Sequence, residues 1–203
     1  MESTTGRQDA YRARTRAALL SSAQQVLAEI GLSATIEDLA NQAQVSPATI
    51  YNHFDSKDVY LKEALSDIWR EGLIWAYDGR SPGEGVETKI EVCRRLFRIK
   101  QHNALLGKVL SKTLNDPVFV IEAIRPSAEK SFREAARKGG LNLKDFDIRM
   151  DLWANVLAGI FQGVFVSQKL SPEEADKALR ISLAIWGFDE IQAEAITSKP
   201  INL

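Results

Sequence analysis

The sequence lacks the residues and runs from which disulfides, metal sites and membrane spans are built. Cys93 is the single cysteine, so an intrachain disulfide is impossible and a zinc site built on thiolates is not expected. The two histidines stand in no metal-ligand or nucleophile spacing, so we expect no catalytic residues, no metal and no cofactor. The most apolar stretch, residues 153–166, falls short of the roughly 20 residues that a membrane span needs.

Neither sign of charge is in excess. The chain carries 26 basic and 27 acidic residues, a formal net charge of −1, and 45% of its residues are hydrophobic. These values are ordinary for a globular protein and give no sign of a polyanionic partner. Residues 1–14 contain no apolar core and therefore do not read as a secretory signal. We predict a cytoplasmic protein with no membrane segment.

No alternating strand pattern occurs, whereas apolar residues recur at helical spacing along most of the chain. The sequence therefore predicts an all-α protein of about nine helices. We expect residues 1–8 to be disordered, a first helix over residues 9–30, and a loose tail after residue 196. A small N-terminal domain, residues 1–56, precedes a larger helical body, residues 57–203.

Residues 31–58 have the most specific spacing in the chain. Thr35 and Asp38 stand three residues apart, as in a capping box, at the start of a two-turn helix. Ser46 and Pro47 are typical of the start of a second short helix, because serine is a good N-cap and proline fits the first helical position. Only a tight turn separates the two helices. This is a helix-turn-helix pattern.

This segment resembles the N-terminal signature of TetR-type transcriptional regulators. The matching positions are Gly31, Thr35, Ile36, Leu39, Ala40, Ala43, Val45, Ser46, Thr49, Ile50, Tyr51, His53, Phe54, Ser56, Lys57 and Asp58. Two positions depart from the family pattern. Gln44 stands where the family usually has a turn glycine, and Ala48 replaces a common glycine of the recognition helix. We expect the turn to survive, because a non-glycine residue tolerates a positive φ at some cost.

The second helix of such a motif offers its first residues to base edges in the major groove, while neighbouring groups hold phosphates. Asn52 suits adenine, and the methyl groups of Thr49 and Ala48 suit thymine. The resemblance implies phosphate contacts for Tyr51 and His53, for which packing inside the small domain is the alternative. The predicted DNA-binding residues are Thr35, Ser46, Pro47, Ala48, Thr49, Tyr51, Asn52, His53 and Lys57.

The charge of this region limits the expected ionic contribution. Residues 1–58 carry five basic and seven acidic side chains. Because phosphate neutralisation normally supplies much of the affinity for DNA, we expect few ionic contacts and a shallow dependence on salt. Arg12, Arg14 and Arg16 lie where a basic arm would follow the DNA backbone. Lys57, beside the recognition helix, is expected to matter most for overall binding.

The helical body is predicted to bind a small effector and to pair two protomers. Both roles are implied by the resemblance, in which the last two long helices form the dimer and the effector is held among helices 4 to 8. The predicted effector-binding residues are Trp69, Trp75, Phe97, Lys100, Phe119, Trp153, Phe161 and Phe165, with ordinary core packing as the alternative for each. The predicted dimer residues are Ala158, Gly159, Gly163, Leu179, Leu183 and Trp186.

A basic segment, residues 89–112, stands out within the body. It carries seven basic residues and one acidic residue. A helical projection places Arg94, Arg95 and Arg98 on a polar face that we expect to be solvated. Lys100 falls within the apolar arc instead, which indicates either an acidic ligand or buried carboxylate, or a side chain whose stem lies along the surface at a frayed helix end.

These patterns together predict a DNA-binding transcriptional regulator. In its simplest form it is a repressor that binds a palindromic operator as a homodimer and is released by a small-molecule effector. Two alternatives stay open: a constitutive DNA binder controlled by a protein partner, and a helical small-molecule-binding protein or enzyme without a DNA function. The sequence names neither the operator nor the effector.

Overall fold

The structure is a computed structural model that describes the chain apart from residues 1–2, 81–84, 116, 138–140, 142–143 and 202–203. The described residues form helices and their connecting turns, with no strand among them. The prediction of an all-α fold is therefore confirmed.

Eleven α-helices and two short 3₁₀ turns, at Gly31–Ser33 and Leu183–Trp186, are assigned within the described residues. The helices are α1 Ser3–Glu29, α2 Ile36–Ala43, α3 Pro47–Tyr51, α4 Lys57–Tyr77, α5 Val86–Phe97, α6 Ile99–His102, α7 Ala104–Thr113, α8 Pro117–Arg137, α9 Phe146–Phe165, α10 Pro172–Ser182 and α11 Glu190–Thr197. The predicted count of about nine is close to this number.

Packing divides the chain into two compact units, residues 1–71 and residues 72–203. In the N-terminal unit, α1 packs on α2 and α2 on α3. Leu27, Leu39, Ile50 and Tyr60 are fully buried there. The Tyr60 hydroxyl donates a 2.5 Å hydrogen bond to the Leu19 carbonyl, and burial raises the pKa of Tyr60 to about 12. The N-terminal unit therefore has a core of its own.

The N-terminal end of the chain corrects one expectation. Helix α1 begins at Ser3, so the prediction that residues 1–8 are disordered is wrong for residues 3–8. Gln8, Ala10 and Arg12 are good helix formers, and a polar composition does not prevent a helix from extending beyond its apolar face. At the other end of α1, Gly31 adopts a φ of +83°, as expected of a glycine that stops a helix.

The C-terminal unit is built around α5 and α9. Helix α9 packs against α7, α8 and α10, while α5 packs against α8, α10 and α11. Aromatic side chains fill its interior. Phe132 stacks on Trp186 with ring centroids 4.2 Å apart and lies 4.9 Å from Trp153, whose indole N–H donates to the Ser182 hydroxyl at 3.1 Å.

The last segments contain two helices separated by a tight turn. Helix α10 ends at Ser182, the chain tightens into the second 3₁₀ turn, and Gly187 adopts a φ of +85°. Asp189 and Gln192 then form a capping box that starts α11, a helix that the sequence analysis missed. The expected loose tail is also wrong for Lys199, whose carbonyl accepts from Arg94 at 2.8 Å. Helix α8 continues through Pro126.

Candidate nucleic-acid interface

The start of α2 is fixed by reciprocal hydrogen bonds. The Thr35 N–H donates to the Asp38 carboxylate at 2.8 Å, and the Asp38 N–H donates to the Thr35 hydroxyl oxygen at 3.1 Å. Hydrogen bonds from the hydroxyl and then from the N–H of Thr35 hold the pKa of Asp38 below its ordinary value. The predicted capping box is confirmed, and it places Thr35 on the surface at the amino end of α2.

The turn between α2 and α3 depends on Gln44. This residue has a φ of 55° and a ψ of 40°, the left-handed conformation that glycine adopts without a Cβ penalty. The Val45 N–H donates to the Ala40 carbonyl at 3.0 Å and closes the turn. The expectation that the turn survives without glycine is therefore confirmed.

Helix α3 begins at the predicted cap. The Ser46 hydroxyl accepts from the Thr49 N–H at 3.2 Å and lies 2.9 Å from the Thr49 hydroxyl. Ile50 is fully buried, whereas Ala48 and Asn52 are exposed. Helix α3 therefore fixes one face in the core and presents its other face, with the predicted base-reading side chains, at the surface.

The two predicted phosphate contacts at the end of α3 lie in different surroundings. Tyr51 keeps 51% of its surface exposed, so it does not pack inside the unit. His53 is half-buried, and its covered Nδ1 atom has no hydrogen-bond partner among the described residues. Its Nε2 atom is therefore the nitrogen left for a phosphate oxygen.

Lys57 has a role that the sequence analysis missed. Its ammonium donates to the Ala34 carbonyl at 3.0 Å and thereby joins the start of α4 to the residues before α2. This bond gives a reason for a lysine at a helix N-terminus, where a positive charge opposes the helix dipole. An ammonium has three donors, so the predicted phosphate contact stays open alongside this bond.

The arginines of α1 have separate roles and do not form an extended arm. The Arg16 guanidinium lies 2.5 Å from the Glu63 carboxylate and 4.4 Å from the centroid of the Phe54 ring. Phe54 in turn stacks on Tyr60 at 4.4 Å. Arg16 is thus part of the packing of this unit, while Arg12 donates to the carbonyl of Asn52 at 3.3 Å.

The predicted effector-binding residues are not one cluster. Phe97, Trp153 and Phe161 are buried in the C-terminal unit, where Phe97 and Phe161 meet edge-on at 5.2 Å and Phe161 stacks on Phe165 at 6.0 Å. Trp69 is buried but belongs to the N-terminal unit. The remaining members are Trp75, which stacks on His102 at 4.5 Å, the exposed Lys100, and Phe119, whose side chain lies outside the described residues.

The environment of Lys100 favours the surface interpretation. Its side chain is exposed, and its ammonium lies 5.4 Å from the centroid of the Phe165 ring. Its stem also packs closely on Gly107, where an added Cβ would lie 2.4 Å from the Lys100 Cγ. A lysine that lies along an apolar surface with its charged end in water explains why this position falls in an apolar arc.

The expectation of a solvated basic face on α5 is wrong. Arg94 and Arg95 are 7% and 4% exposed. Arg98 donates to both oxygens of Asp176 at 2.9 and 3.1 Å, and the Arg94 Nε lies 3.2 Å from the same carboxylate. Helices α10 and α11 cover this face, so its charges are paired within the protein.

A second set of ion pairs lies at the other end of this face. Arg95 binds Asp78 at 3.0 Å, and Arg80 binds both oxygens of Glu91 at 2.6 and 2.8 Å. The hydrogen bonds from Arg80 hold the pKa of Glu91 below its ordinary value. The arginines of the basic segment therefore serve internal acidic partners and do not form an open anion site.

The predicted dimer residues are mostly interior. Ala158, Leu179, Leu183 and Trp186 are at most 2% exposed within the single chain. Gly163 packs on its own chain, because an added Cβ there would lie 2.5 Å from Leu170. Gly159 is exposed, with open space where a Cβ would stand.

A different apolar row lies on the surface of α9 and α10. Ile148, Leu152 and Val156 follow one another at four-residue spacing on α9 and are 63%, 55% and 41% exposed. Ile181 on α10 is 71% exposed. The spacing was visible in the sequence, but periodicity alone does not tell which of two apolar faces of a helix is covered by its own chain.

No group of side chains that could hold a metal ion occurs among the described residues. No described helix is long and apolar enough to cross a membrane.

Known proteins match this chain in two ways, by sequence in the helix-turn-helix segment and by fold over nearly the whole chain. Residues 19–64 match the family model of bacterial regulatory proteins, tetR family. No protein of curated function matches the sequence. Among solved structures, the chain resembles RolR in complex with its ligand resorcinol, with 21% identity and a TM-score of 0.68 over 95% of this chain and 97% of that one.

Two further solved structures have the same fold. A TetR-family transcriptional regulator from Rhodococcus sp. shares 16% identity at a TM-score of 0.67, over 85% of this chain and 98% of that one. A TetR-family regulator from Streptomyces coelicolor shares 16% identity at a TM-score of 0.54, over 92% and 96%. At such identities the likeness establishes the fold, while the family model matches the helix-turn-helix segment.

The predicted resemblance is thereby confirmed at the helix-turn-helix segment. Residues 19–64 thus match the helix-turn-helix segment of the tetR family, and the chain as a whole shares the fold of TetR-family regulators.

Proposed function

We propose that the protein is a ligand-responsive repressor that binds a palindromic operator as a homodimer. The observation that carries this proposal is the surface of α3, which is capped by Ser46, anchored by the buried Ile50 and open at Ala48 and Asn52. A helix held in this way offers short side chains at the depth at which base edges lie in the major groove.

Sequence preference would come from Thr49 and Asn52, and position on the duplex from the groups around them. The amino end of α2 at Thr35, the Tyr51 hydroxyl, the His53 ring and the Lys57 ammonium are the proposed phosphate contacts. Phosphate contacts fix the register of a protein on DNA without reading its sequence. Replacing Asn52 would therefore relax the preferred sequence, and replacing Tyr51 would weaken binding to all duplexes.

The homodimer would use the exposed row of Ile148, Leu152, Val156 and Ile181, together with the open surface at Gly159. Exposed apolar rows of this length on two neighbouring helices are typical of protein interfaces, and obligate dimers bury core-like surfaces. Ile181 also lines a groove of about 210 Å³ beside α11. This assignment replaces Leu179, Leu183 and Trp186, which are already buried in their own protomer.

The proposed effector is a small aromatic molecule that enters the helical body. Two observations support this class: the interior of the C-terminal unit is rich in aromatic rings, and the solved structure of RolR, a protein of the same fold, contains resorcinol. The effector would act through a difference in its affinity for the DNA-bound and the free arrangement of the dimer.

Selection from a random-sequence DNA pool tests the operator proposal. The wild-type protein is expected to enrich an inverted repeat whose half-sites lie one helical turn, about 34 Å, or a multiple of it apart. Enrichment of single half-sites would contradict the dimer, and no enrichment at moderate salt would contradict sequence-specific binding altogether.

Thermal unfolding with resorcinol tests the effector class, and 1,3-cyclohexanediol is the matched non-aromatic control. A ligand at about 100 times its dissociation constant stabilises a protein by about 2.7 kcal/mol. We expect a concentration-dependent rise in Tm with resorcinol alone and a parallel loss of affinity for the selected duplex. A rise in Tm without that loss would indicate binding that is not coupled to DNA, as expected of a regulator controlled by a protein partner.

A further inference from the structure

Arg12 links α1 to the end of the recognition helix α3. Its Nη2 donates to the backbone carbonyl of Asn52 at 3.3 Å, across 40 residues of sequence. Asn52 is the C-cap of α3, where carbonyl groups no longer have partners within the helix. A guanidinium at this place satisfies one of these carbonyls and carries the charge that the end of a helix dipole favours.

The rest of the guanidinium stays at the surface. Arg12 is exposed, and so are Tyr51 and Asn52 beside it. An arginine has five N–H donors, and the bond to Asn52 uses one nitrogen of the three. The remaining donors lie at the edge of the surface that α3 presents, in the planar arrangement that binds a phosphate through two parallel hydrogen bonds.

The other arginines of α1 do not share this position. Residues 12 and 16 lie within about 40° of each other around a helix axis, whereas residue 14 lies about 160° from residue 12. Arg16 is occupied by Glu63 and Phe54, and Arg14 is exposed on the far side of α1. Among these three, Arg12 alone joins a free positive charge to the recognition helix.

We propose that Arg12 is a DNA phosphate contact that also holds the C-terminal end of α3 in place. This inference rests on the proposed DNA-binding function and adds a residue to the same site. Acidic side chains outnumber basic ones in residues 1–58, and Arg12 would add a positively charged phosphate contact beside the recognition helix.

The two roles of Arg12 have separate consequences. Loss of the phosphate contact weakens binding to every duplex equally, because a phosphate carries no sequence information. Loss of the bond to the Asn52 carbonyl frees the end of α3, and so also lowers the preference for the selected duplex over a random one.

Salt titrations of the full-length protein separate charge from structure. The variants are Arg12→Lys, Arg12→Gln and Arg12→Ala, with Arg14→Gln as the control that removes the same charge from the same helix. Each is measured on a random-sequence duplex and on the duplex enriched by the wild-type protein. Because each phosphate contact contributes about 0.9 to the slope of log K against log salt, a dimer without both Arg12 contacts should lose about 1.8.

We expect Arg12→Gln and Arg12→Ala to lose this slope on both duplexes, and Arg12→Lys and Arg14→Gln to keep it. Arg12→Lys is still expected to lower the preference for the enriched duplex, because it lacks the second arm of the fork. An unchanged slope in Arg12→Ala, with or without a fall in Tm, would overturn the phosphate contact. A slope loss of equal size in Arg14→Gln would overturn the assignment to Arg12.

Failure of the proposed function gives a different result. In that case the wild-type protein enriches no duplex. The salt slope on random DNA still shows whether Arg12 contacts a phosphate.

Discussion

The helix-turn-helix of the N-terminal unit and the interior of the C-terminal unit are held by contacts of different reach along the chain. In the N-terminal unit, the helix-turn-helix is set mainly by neighbours, such as Thr35 with Asp38 and Ser46 with Thr49. In the C-terminal unit, Arg98 reaches Asp176 across 78 residues and Arg94 reaches the Lys199 carbonyl across 105. The first kind of contact builds a shape that a short motif encodes, and the second builds an interior that no short motif describes.

The largest expected effect follows from breaking the long-range contacts of the C-terminal unit. Asp176→Ala leaves the buried Arg94 and the partly buried Arg98 without their shared carboxylate, and breaking a buried ion pair on one side costs about 3 to 5 kcal/mol. Urea unfolding of the variant should show this fall in the free energy of unfolding. Glu173→Ala is the matched control, since the Glu173 carboxylate is 71% exposed and a pair with it contributes at most about 1 kcal/mol. Equal losses in both variants would show that burial does not distinguish these pairs.

The next effect concerns the apolar row that the C-terminal unit leaves uncovered. Leu152→Asp should convert the proposed dimer into monomers, which sedimentation would measure. Losing the second half-site of a linked pair lowers affinity for a palindromic duplex by about 100-fold or more. Ile74→Asp introduces the same charge at a position of α4 that is 68% exposed, and it should leave both the dimer and the affinity unchanged. A Leu152→Asp protein that still sediments as a dimer would place the interface elsewhere.

A smaller effect is expected from changing the turn residue Gln44 in the N-terminal unit. Gln44→Gly removes the Cβ from a residue with a φ of 55°, and this relief should raise the free energy of unfolding by about 0.5 to 1 kcal/mol. Asn41→Gly, within α2, should lower it by about 0.3 kcal/mol, because glycine is a slightly poorer helix former than asparagine. If both glycines destabilise by similar amounts, the left-handed residue carries no strain.

The smallest expected effect is on the pH dependence of that unit. Folding lowers the pKa of Asp38, so its contribution to stability is present above the ordinary value of 3.8 and is lost as the pH falls through the lowered value. Asp38→Asn should therefore flatten the acid limb of the stability curve below about pH 4. Unfolding curves of Asp38→Asn and wild type that remain parallel down to pH 2 would contradict this account.

The sequence was informative where neighbours decide the structure. The cap at Thr35, the N-cap at Ser46 and the survival of the turn at Gln44 are confirmed, because each depends on residues within five positions of one another. The family resemblance lies in the same stretch. The structure adds the bond between Lys57 and the Ala34 carbonyl, which joins residues 23 apart and leaves no local pattern.

The sequence was misleading where burial depends on distant partners. A helical projection correctly identifies the polar side of α5 but does not show that α10 and α11 cover it. For the same reason, Leu179 and Trp186 were assigned to an interface when their own chain already buries them. Helix α11 was missed because its eight residues give too short a periodic run, although the cap at Asp189 was present in the sequence.

The contacts of Lys199 have a consequence for proteolytic trimming. Its carbonyl accepts from Arg94, and its ammonium binds Glu87 at 2.7 Å, so Lys199 is tied to both halves of α5. A carboxypeptidase that removed these residues would expose a buried guanidinium instead of shortening a free end. Carboxy-terminal digestion should therefore stall near Lys199 while the C-terminal unit is folded, and proceed once it opens.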